Sequence, residues 1–586
     1  MKTTAFVLSC CAVGALLSGA AFGGGALYED RWFYCSHDFR TDADIDFYRT
    51  LVNRAAKSGY NGMLFAKGLE GAFRWSDATK ARFAEVKAIC DAAKVEIVPI
   101  LWSVGYGTMI GVDDGLAESR PAKDLPFVAK GGKAVYRADG VTLANGDFAE
   151  RDLAKNRVRG WWTDDPGVES FVDADVGHAG KASIRFEADR IRNKHGHARL
   201  SQTVRDIRPG RHYRFVTHVK TDGFRPLHGA LRAQVYLRGG ANFSQSVRGP
   251  ADADGWCRVA VTFNSGEATN ATVYVGAWGA KGGRFWISDS TLEECGLTEI
   301  ATRPWCTVEM RDAATGRTYR EGVDFLRPAR MRGPKGGSVS FALPKGSAIA
   351  EGTRLSVDAW TPSHCGPSSQ WSTCMSDPKL YELFGESARG VMEVLAPKKW
   401  FLSVDEVRNG NTCPKCRARQ TDMAHVFGDA IVRMHGIIKS VRPDATVYAW
   451  SDMFDPAHNC HDGYYACRGT FAGVCDLIPK DIVMSCWHRK ICRESVAYFT
   501  AKGFRVQGAG YYDYDAEDTS ADLAWVDVLN ATPMSTGLMY TTWQGKYDLL
   551  EKFGQMMLEK GRLFRYDGLD VPRLRVHDAG GRKLQD

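Results

Sequence analysis

Two adjacent carboxylates, Asp405 and Glu406, follow directly on the apolar run from Trp400 to Val404. A short apolar, aromatic run predicts a buried strand, and its abrupt end in two acids predicts that the strand delivers them to a site. Because consecutive side chains of a strand point to opposite faces, both acids can reach one substrate only where the strand ends, and their roles should then differ. Hydrolysis of a glycosidic bond uses two carboxyls, one to protonate the leaving oxygen and one to stabilise the cationic sugar.

Two reacting carboxyls of a glycosidase usually stand about 5 to 10 Å apart, and adjacent ones fit better with a substrate-assisted reaction. In that reaction the 2-acetamido oxygen of the sugar attacks its own anomeric carbon. Asp405 would orient the acetamide and stabilise the cyclic cation, and Glu406 would act as acid and then as base. A structural interpretation is the alternative, since an Asp-Glu pair also serves as the N-cap and first-turn acid of a helix.

Aromatic and acidic residues also stand at the predicted carboxyl ends of later strands, in WSDMFDP, CWH, AGYYDYD and YTTWQGKY. Aromatic walls with acids between them suit a pyranose subsite. His37 and Asp38 close the first predicted strand and could hold sugar hydroxyls or make ordinary structural hydrogen bonds. Arg408 could bind substrate, but we prefer the interpretation in which it neutralises the acid pair. The candidate substrate-binding residues are His37, Asp38, Arg408, Trp450, Asp452, Trp487, Tyr511, Tyr512, Asp513 and Trp543.

The elements that position these residues alternate between strand and helix. Three predicted strands precede a long interruption and five follow it, the fourth being the run that ends at Val404. Eight such units predict an α/β fold, a TIM (β/α)8 barrel split by an inserted β-sandwich (jelly-roll) domain and a small β unit. A doubly wound open sheet is the alternative, but no glycine-rich phosphate loop follows the first strand.

Changes in composition along the chain give the predicted boundaries. They are a signal peptide over 1–25, barrel strands one to three over 26–138, a β-sandwich over 139–302, a small β unit over 303–362, barrel strands four to eight over 363–570, and a polar tail over 571–586.

The sandwich segment carries short alternating runs such as RPGRHYRF, GWCRVAVTF and GGRFWISDSTLEE, with turns rich in Gly, Asp and Asn. With NGDF and GWW before them, these runs resemble the jelly-roll carbohydrate-binding modules of families 4, 9 and 22. The resemblance implies that Trp161, Trp162, Trp278 and Trp286 could stack on sugar rings, although the ordinary place of a tryptophan is the core.

The segment SVDEVR resembles the fourth barrel strand of the family 20 β-N-acetylhexosaminidases, which ends in an Asp-Glu pair, but it lacks the His-x-Gly-Gly lead-in usual in that family. The resemblance implies Asp405 as the acetamide-orienting residue, Glu406 as acid/base, a tyrosine among Tyr511, Tyr512 and Tyr514 on the acetamide oxygen, and Trp487 or Trp543 lining the pocket. We therefore expect a glycoside hydrolase that cleaves N-acetylhexosamine-containing glycans by a retaining, substrate-assisted mechanism.

Two alternatives stay open. One is a conventional retaining glycosidase with Glu406 as acid/base and Asp513 as nucleophile. The other is a carbohydrate-binding protein without catalytic activity. The expected partner is a glycan in each case, and no protein partner can be inferred from the sequence.

Composition also limits the kind of partner and the location that we expect for the protein. The 586 residues carry a formal net charge of only +7 with dispersed basic residues, which argues against a nucleic-acid partner. A lysine, an apolar core and small residues at the start are typical of a cleaved export signal. We expect a secreted or periplasmic protein, with no later run long enough to cross a membrane.

Cys413 and Cys416 have the CxxC spacing of a zinc half-site, with His458, Cys460, His461, Cys467 and Cys475 further on. No second CxxC follows, and an exported protein can close such a pair as a disulfide, so we expect no cofactor and no metal. Structural zinc at Cys413 and Cys416 is the alternative. Asp452, Asp455 and His458 could also bind a cation, but a polar substrate loop is the simpler interpretation.

Overall fold

A computed structural model describes residues 26–563, except for 103, 138–139, 141–142, 193–195, 227–230, 239–241, 248–249, 329–330, 332–336, 366–369, 512 and 514–518. The predicted signal peptide, the predicted tail and Tyr512 lie outside the described residues. None of the helices in the described ranges combines the length and the apolar character that a membrane crossing requires.

Eight parallel strands form a closed barrel in chain order, and the eighth pairs with the first. The barrel strands are β1 (Asp30–Cys35), β2 (Gly62–Phe65), β3 (Glu96–Trp102), β4 (Lys399–Ser403), β5 (Thr446–Trp450), β6 (Val483–Cys486), β7 (Val506–Gly510) and β8 (Ser535–Tyr540). This closure excludes the open doubly wound sheet. Inward-facing side chains such as Trp32, Phe401 and Tyr448 fill the barrel interior.

The helices are α1 (Asp42–Lys57), α2 (Asp77–Ala92), α3 (Pro378–Leu395), α4 (Pro414–Arg417), α5 (Met423–Val441), α6 (Cys492–Ala501), α7 (Leu523–Asn530) and α8 (Leu550–Lys560). Local sequence explains several of their ends. Thr41 and Asp44 form a capping box at the start of α1, and Asp377 caps α3 just before Pro378.

The prediction of a TIM (β/α)8 barrel is wrong, because helices do not surround the barrel. Helix accounts for only 26% of the structure, which is rich in β-strand. The connection from β5 to β6 contains short 3-10 turns and no α-helix, although every residue of it is described. Its sequence explains the absence, since Gly463, Gly469 and Gly473 all take positive φ angles that interrupt a helix.

Between β3 and α3 the chain builds two β units. The first has two five-stranded antiparallel sheets with a shared apolar core. One sheet has the order Cys257–Asn264, His212–Pro226, Ala280–Glu294, Ser183–Glu187, Ser170–Asp173. The other has the order Asn242–Ser246, Arg232–Leu237, Ala271–Ala277, Ala198–Val204, Trp162–Thr163.

The second unit is a six-stranded sheet with its own core. Its order is Thr318–Tyr319, Glu309–Asp312, Arg354–Pro362, Ser119–Lys130, Lys133–Tyr136, Phe341–Ala342. The strands Ser119–Lys130 and Lys133–Tyr136, which the boundary at 138 placed with the barrel, therefore belong to this unit. The pairing of Ser119–Lys130 with Arg354–Pro362 brings the two ends of the whole insertion side by side.

Three two-stranded ladders complete the described strands. They are Arg151–Asp152 with Arg157–Val158, His364–Cys365 with Gln370–Trp371, and Asn409–Gly410 with Ala466–Cys467. The last ladder joins the loop after β4 to the loop after β5.

Candidate active site at the mouth of the barrel

Asp405 and Glu406 lie at the mouth of the barrel, just past the end of β4. Phe401 of β4 belongs to the barrel interior, so Ser403 and Asp405, at steps of two residues, share its inward face. The Ser403 hydroxyl donates to Asp405 Oδ1 at 2.8 Å. Glu406 takes a φ of +45°, in the left-handed region. This backbone turn, costly for a residue with a side chain, ends the strand alternation that would otherwise separate the two acids.

The backbone of Asp405 is packed tightly against the loop after β3. A Cβ atom added to Gly105 would lie 1.9 Å from the Asp405 carbonyl oxygen, so only glycine fits there. The next residue, Tyr106, donates its hydroxyl to Glu406 Oε2. The loop after β3 thus shapes the site directly.

Arg408 forms an ion pair with Glu406, with 2.7 Å between Nη2 and Oε1. The guanidinium is buried, donates to Gln370 Oε1, and lies 5.0 Å from the ring centre of Tyr465. Gln370 also donates to the backbone oxygens of Gly105 and Glu406, at 2.9 and 2.8 Å. Arg408 thus lies beside the acid pair, with its charge facing Glu406.

Asp452 is fully buried and holds the loop that carries Glu406. Its Oδ2 accepts the backbone N–H of Glu406 at 2.9 Å and the side-chain amide of Asn459 at 2.8 Å. Its Oδ1 lies 3.4 Å from Trp487 Nε1. The predicted residues Asp405, Glu406, Arg408, Asp452 and Trp487 therefore belong to one connected group.

Burial and the neighbouring charges raise the pKa of Asp405 and of Asp452. Burial, followed by the charges of Asp452 and Glu406, raises the pKa of Asp405 well above its usual value. Burial also raises the pKa of Asp452 to about 6, aided by the Glu406 charge and opposed by the Glu406 N–H. Glu406 is the most accessible of the three, with 21% of its side chain exposed. The site therefore favours retention of a proton close to a reachable carboxyl.

Trp543 presents an exposed aromatic surface beside these acids. It is 38% exposed, and its ring lies 4.8 Å from the ring of Tyr34 and 5.7 Å from that of Trp450. Burial raises the pKa of Tyr34, and the nearby carboxylate of Asp405 raises it further. Trp450 is buried and packs against Trp543, so Trp543 is the residue of this pair that a ligand can contact.

Three other predicted residues have mainly structural contacts. His37 stacks on Phe47 with 3.8 Å between ring centres and pairs with Asp44 at 3.1 Å. Asp38 accepts the Phe39 N–H and pairs with Arg40 at 3.4 Å. Tyr511 is buried and stacks on Tyr540, with 4.6 Å between ring centres. Tyr512 lies outside the described residues.

Asp513 holds the turn after β8. It accepts the Thr542 hydroxyl at 2.5 Å, the Trp543 N–H at 2.6 Å and the Gln544 N–H at 3.1 Å, and these contacts use both of its oxygens. Asp513 therefore supports the segment that carries Trp543.

Two described groups have ligand atoms close enough for a metal ion: Glu118, Cys374, Cys413 and Cys416, and His178, His218 and Asp289. Neither includes the acid pair. The predicted alternative cation group, Asp452, Asp455 and His458, is not among the groups found in the described residues.

Sequence reasoning missed Tyr106, Gln370 and Asn459. Tyr106 had a usable signal, because it follows the carboxyl end of β3 after a glycine. Gln370 had none, since it lies at the end of the long insertion and reaches the site only through tertiary structure.

A second concave surface lies on the inserted sandwich. This groove, of about 540 Å³, is lined by residues that include Trp161, Trp162, Arg199, Gln202, Thr272 and Tyr274. Trp162 is 53% exposed, and the Arg199 guanidinium lies 5.2 Å from the Tyr274 ring centre. Of the other candidate tryptophans, Trp161 and Trp286 are buried, and Trp278 lies 5.5 Å from the Arg199 guanidinium.

No protein-family model matches the chain. No curated protein matches it either. Solved structures that match part of it include carbohydrate-binding modules. The CBM22-1 xylan-binding domain from Paenibacillus barcinonensis Xyn10C is 15% identical, with 27% of this chain and 97% of that chain covered and a TM-score of 0.20.

A putative sugar binding protein from Bacteroides thetaiotaomicron is 13% identical, with 26% of this chain and 100% of that chain covered and a TM-score of 0.19. A cyclase from Fischerella sp. TAU is 14% identical, with 27% of this chain and 97% of that chain covered and a TM-score of 0.22. At such scores the likenesses carry no conclusion about fold or function, and they give no support to a relationship with the family 20 hexosaminidases.

Proposed function

We propose that the mouth of the barrel hydrolyses glycosidic bonds, with Glu406 as general acid and base and Asp405 as its buried neighbour. The observation that carries this proposal is the pairing of a buried carboxyl with a reachable one, turned into the same mouth by the left-handed backbone of Glu406. Chemistry at an anomeric carbon needs a proton for the leaving oxygen and negative charge for the cationic sugar.

The surroundings of the pair support these roles. The raised pKa of Asp405 and of Asp452 keeps a proton next to Glu406, and general acid catalysis consumes a proton at the leaving oxygen. Tyr106 and Arg408 contact both oxygens of Glu406 and thereby fix its carboxylate in the mouth. Trp543 supplies an apolar face of the size of a sugar ring.

Within this function, we propose N-acetylhexosamine-containing glycans as substrates and a substrate-assisted mechanism. Asp405 would orient the acetamide, whose oxygen attacks the anomeric carbon, and Glu406 would protonate the departing oxygen and then activate water. The contacts of Asp513 favour this route over the conventional one, because they engage the alternative nucleophile in the turn after β8.

The test is a panel of 4-nitrophenyl glycosides of both anomers, with and without the 2-acetamido group, incubated with the full chain. We expect release of nitrophenol from at least one acetamido sugar and inhibition by a thiazoline mimic of the cyclic intermediate. Equal cleavage of a plain glucoside or galactoside would support the conventional mechanism. A complete lack of hydrolysis across aryl and natural glycans would contradict the enzymatic function.

The groove of the sandwich supports a second candidate function, glycan binding without catalysis. An exposed tryptophan next to a charged and amide-bearing surface suits a sugar ring, which has an apolar face and a rim of hydroxyls.

Affinity electrophoresis of the full chain over a glycan panel tests this glycan binding. Trp162→Ala should lose the retardation caused by at least one glycan, whereas Val323→Ala, which alters an exposed apolar residue outside the sandwich, should keep it. Equal retardation of both variants and the parent would overturn this candidate.

A further inference from the structure

Four buried side chains from three distant segments meet beneath the loop that follows the acid pair. They are Glu118, just before the strand Ser119–Lys130, Cys374, just before α3, and Cys413 and Cys416, at α4. Their ligand atoms all lie within 4.8 Å of one another. None of the four is more than 3% exposed.

The distances in this cluster match the edges of a coordination tetrahedron. Cys374 Sγ lies 3.4 Å from Cys413 Sγ and 3.7 Å from Cys416 Sγ, and Cys416 Sγ lies 3.7 Å from Glu118 Oε2. A tetrahedral Zn²⁺ with bonds of about 2.3 Å to sulfur and 2.0 to 2.2 Å to oxygen places two sulfurs about 3.8 Å apart, and sulfur and oxygen about 3.5 Å apart. The three cysteines are free thiols in the structure.

The carboxylate of Glu118 is oriented as a ligand. Its Oε1 accepts three hydrogen bonds, from the Thr412 N–H at 2.9 Å, the Thr412 hydroxyl at 2.8 Å and the Cys413 N–H at 2.6 Å. These donors fix the group and leave Oε2 directed at the sulfurs. Partners of this kind orient the ligands of metal sites in general.

The sulfurs have similar support. The Cys416 N–H donates to Cys413 Sγ at 3.4 Å, across the CxxC turn. The Ser376 hydroxyl lies 3.2 Å from Cys416 Sγ. Burying a carboxylate among sulfurs in an interior closed to water is costly unless a cation compensates the charge.

We propose that Glu118, Cys374, Cys413 and Cys416 bind one Zn²⁺ ion with a structural role. Three thiolates and one carboxylate suit zinc, because soft sulfur ligands in tetrahedral geometry select it over the oxygen-preferring Mg²⁺ and Ca²⁺. All four positions are filled by the protein, so the ion has no open site for a substrate. This assignment reverses the expectation of no metal from sequence alone.

The ion would join the three segments that the fold must bring together to complete the barrel mouth. Glu118 stands where the chain leaves the barrel for the insertion, Cys374 stands where it returns, and Cys413 belongs to the loop that begins with Asp405 and Glu406. Binding energy at such a site contributes directly to folding. The inference does not depend on the glycosidase proposal.

Metal analysis of the purified full chain by plasma mass spectrometry tests the site. We expect about one zinc per chain that survives dialysis, and its loss in Cys374→Ser and Cys416→Ser. The control Cys475→Ser alters a buried free cysteine outside the cluster and should retain the zinc. Replacement of zinc by Co²⁺ should give the visible absorption of a tetrahedral cobalt–thiolate centre.

A second measurement covers variants that fail to fold. Unaltered protein treated with a strong chelator should melt several degrees lower, and added Zn²⁺ should restore the melting temperature. Denatured protein with chelator should then show Cys374, Cys413 and Cys416 as reactive thiols. A disulfide among these three cysteines, or protein without zinc whose melting temperature does not respond to Zn²⁺, would overturn the proposal.

Discussion

The carboxylate of Asp452 accepts the backbone N–H of Glu406 at 2.9 Å. Asp452 follows β5, and Glu406 follows β4, so this hydrogen bond joins the ends of two neighbouring barrel strands. It stabilises the left-handed backbone of Glu406, which turns that side chain into the mouth. Asp452 is therefore a positioning residue for the proposed acid.

The raised pKa of Asp452 predicts a stability that falls as the pH rises. The folded chain holds this proton up to a pH of about 6, whereas an unfolded chain releases it near the ordinary value of 3.8. The unfolded state binds fewer protons between these values, so the free energy of unfolding decreases across that window. Asp452→Asn removes this effect, and the wild type should lose on the order of 3 kcal/mol relative to the variant between pH 4 and pH 7.

Thermal melting of both proteins across this range measures the difference. The exposed Asp548→Asn variant is the control and should follow the wild type. Parallel melting curves for the wild type and Asp452→Asn at every pH would contradict the raised pKa.

The two neighbouring tryptophans should separate into one that binds ligand and one that supports the fold. Trp543→Ala removes an exposed ring and should lower kcat/KM about tenfold, equivalent to about 1.4 kcal/mol, with little change in melting temperature. Trp450→Ala removes a fully buried ring and should cost about 3 to 5 kcal/mol of stability. Steady-state kinetics and melting of both variants test this contrast. The opposite pattern would move the ligand away from Trp543.

Asp513 distinguishes the two mechanisms. Because its oxygens hold the turn after β8 that carries Trp543, Asp513→Asn should weaken substrate binding. Turnover should stay within about tenfold of the wild type. Removal of a true nucleophile lowers kcat by about 10³-fold or more. A loss of that size, in a variant that still melts cooperatively, would favour the conventional retaining mechanism.

Local patterns in the sequence predicted the strands and the residues at their carboxyl ends, because short segments determine these features. The apolar run before Asp405 indicated β4 and the acids at its carboxyl end, and the aromatic ends of β5, β6 and β8 indicated Asp452, Trp487 and Trp543. Features that depend on distant contacts were not predictable. The hydrogen bond from Tyr106 to Glu406 joins residues 300 positions apart, and the pairing of Ser119–Lys130 with Arg354–Pro362 spans the whole insertion.

The same limit explains the incomplete prediction at Cys413 and Cys416. The CxxC spacing identified half of the cluster, but Glu118 and Cys374 have no spacing that relates them to it. The missing helix between β5 and β6 had a local signal, since glycines interrupt that segment. The regular alternation of strands and helices elsewhere in the chain favoured the prediction of eight βα units despite these glycines.

Glu406 is the residue proposed to transfer the proton in glycoside hydrolysis. The turnover of the best-cleaved aryl glycoside by wild type, Glu406→Gln and the exposed control Glu559→Gln measures this role. Glutamine keeps the size of the side chain but cannot donate or accept the proton, so we expect a loss of about 10²- to 10⁴-fold in a variant that still melts cooperatively. Turnover by Glu406→Gln equal to that of the wild type and of Glu559→Gln would contradict it.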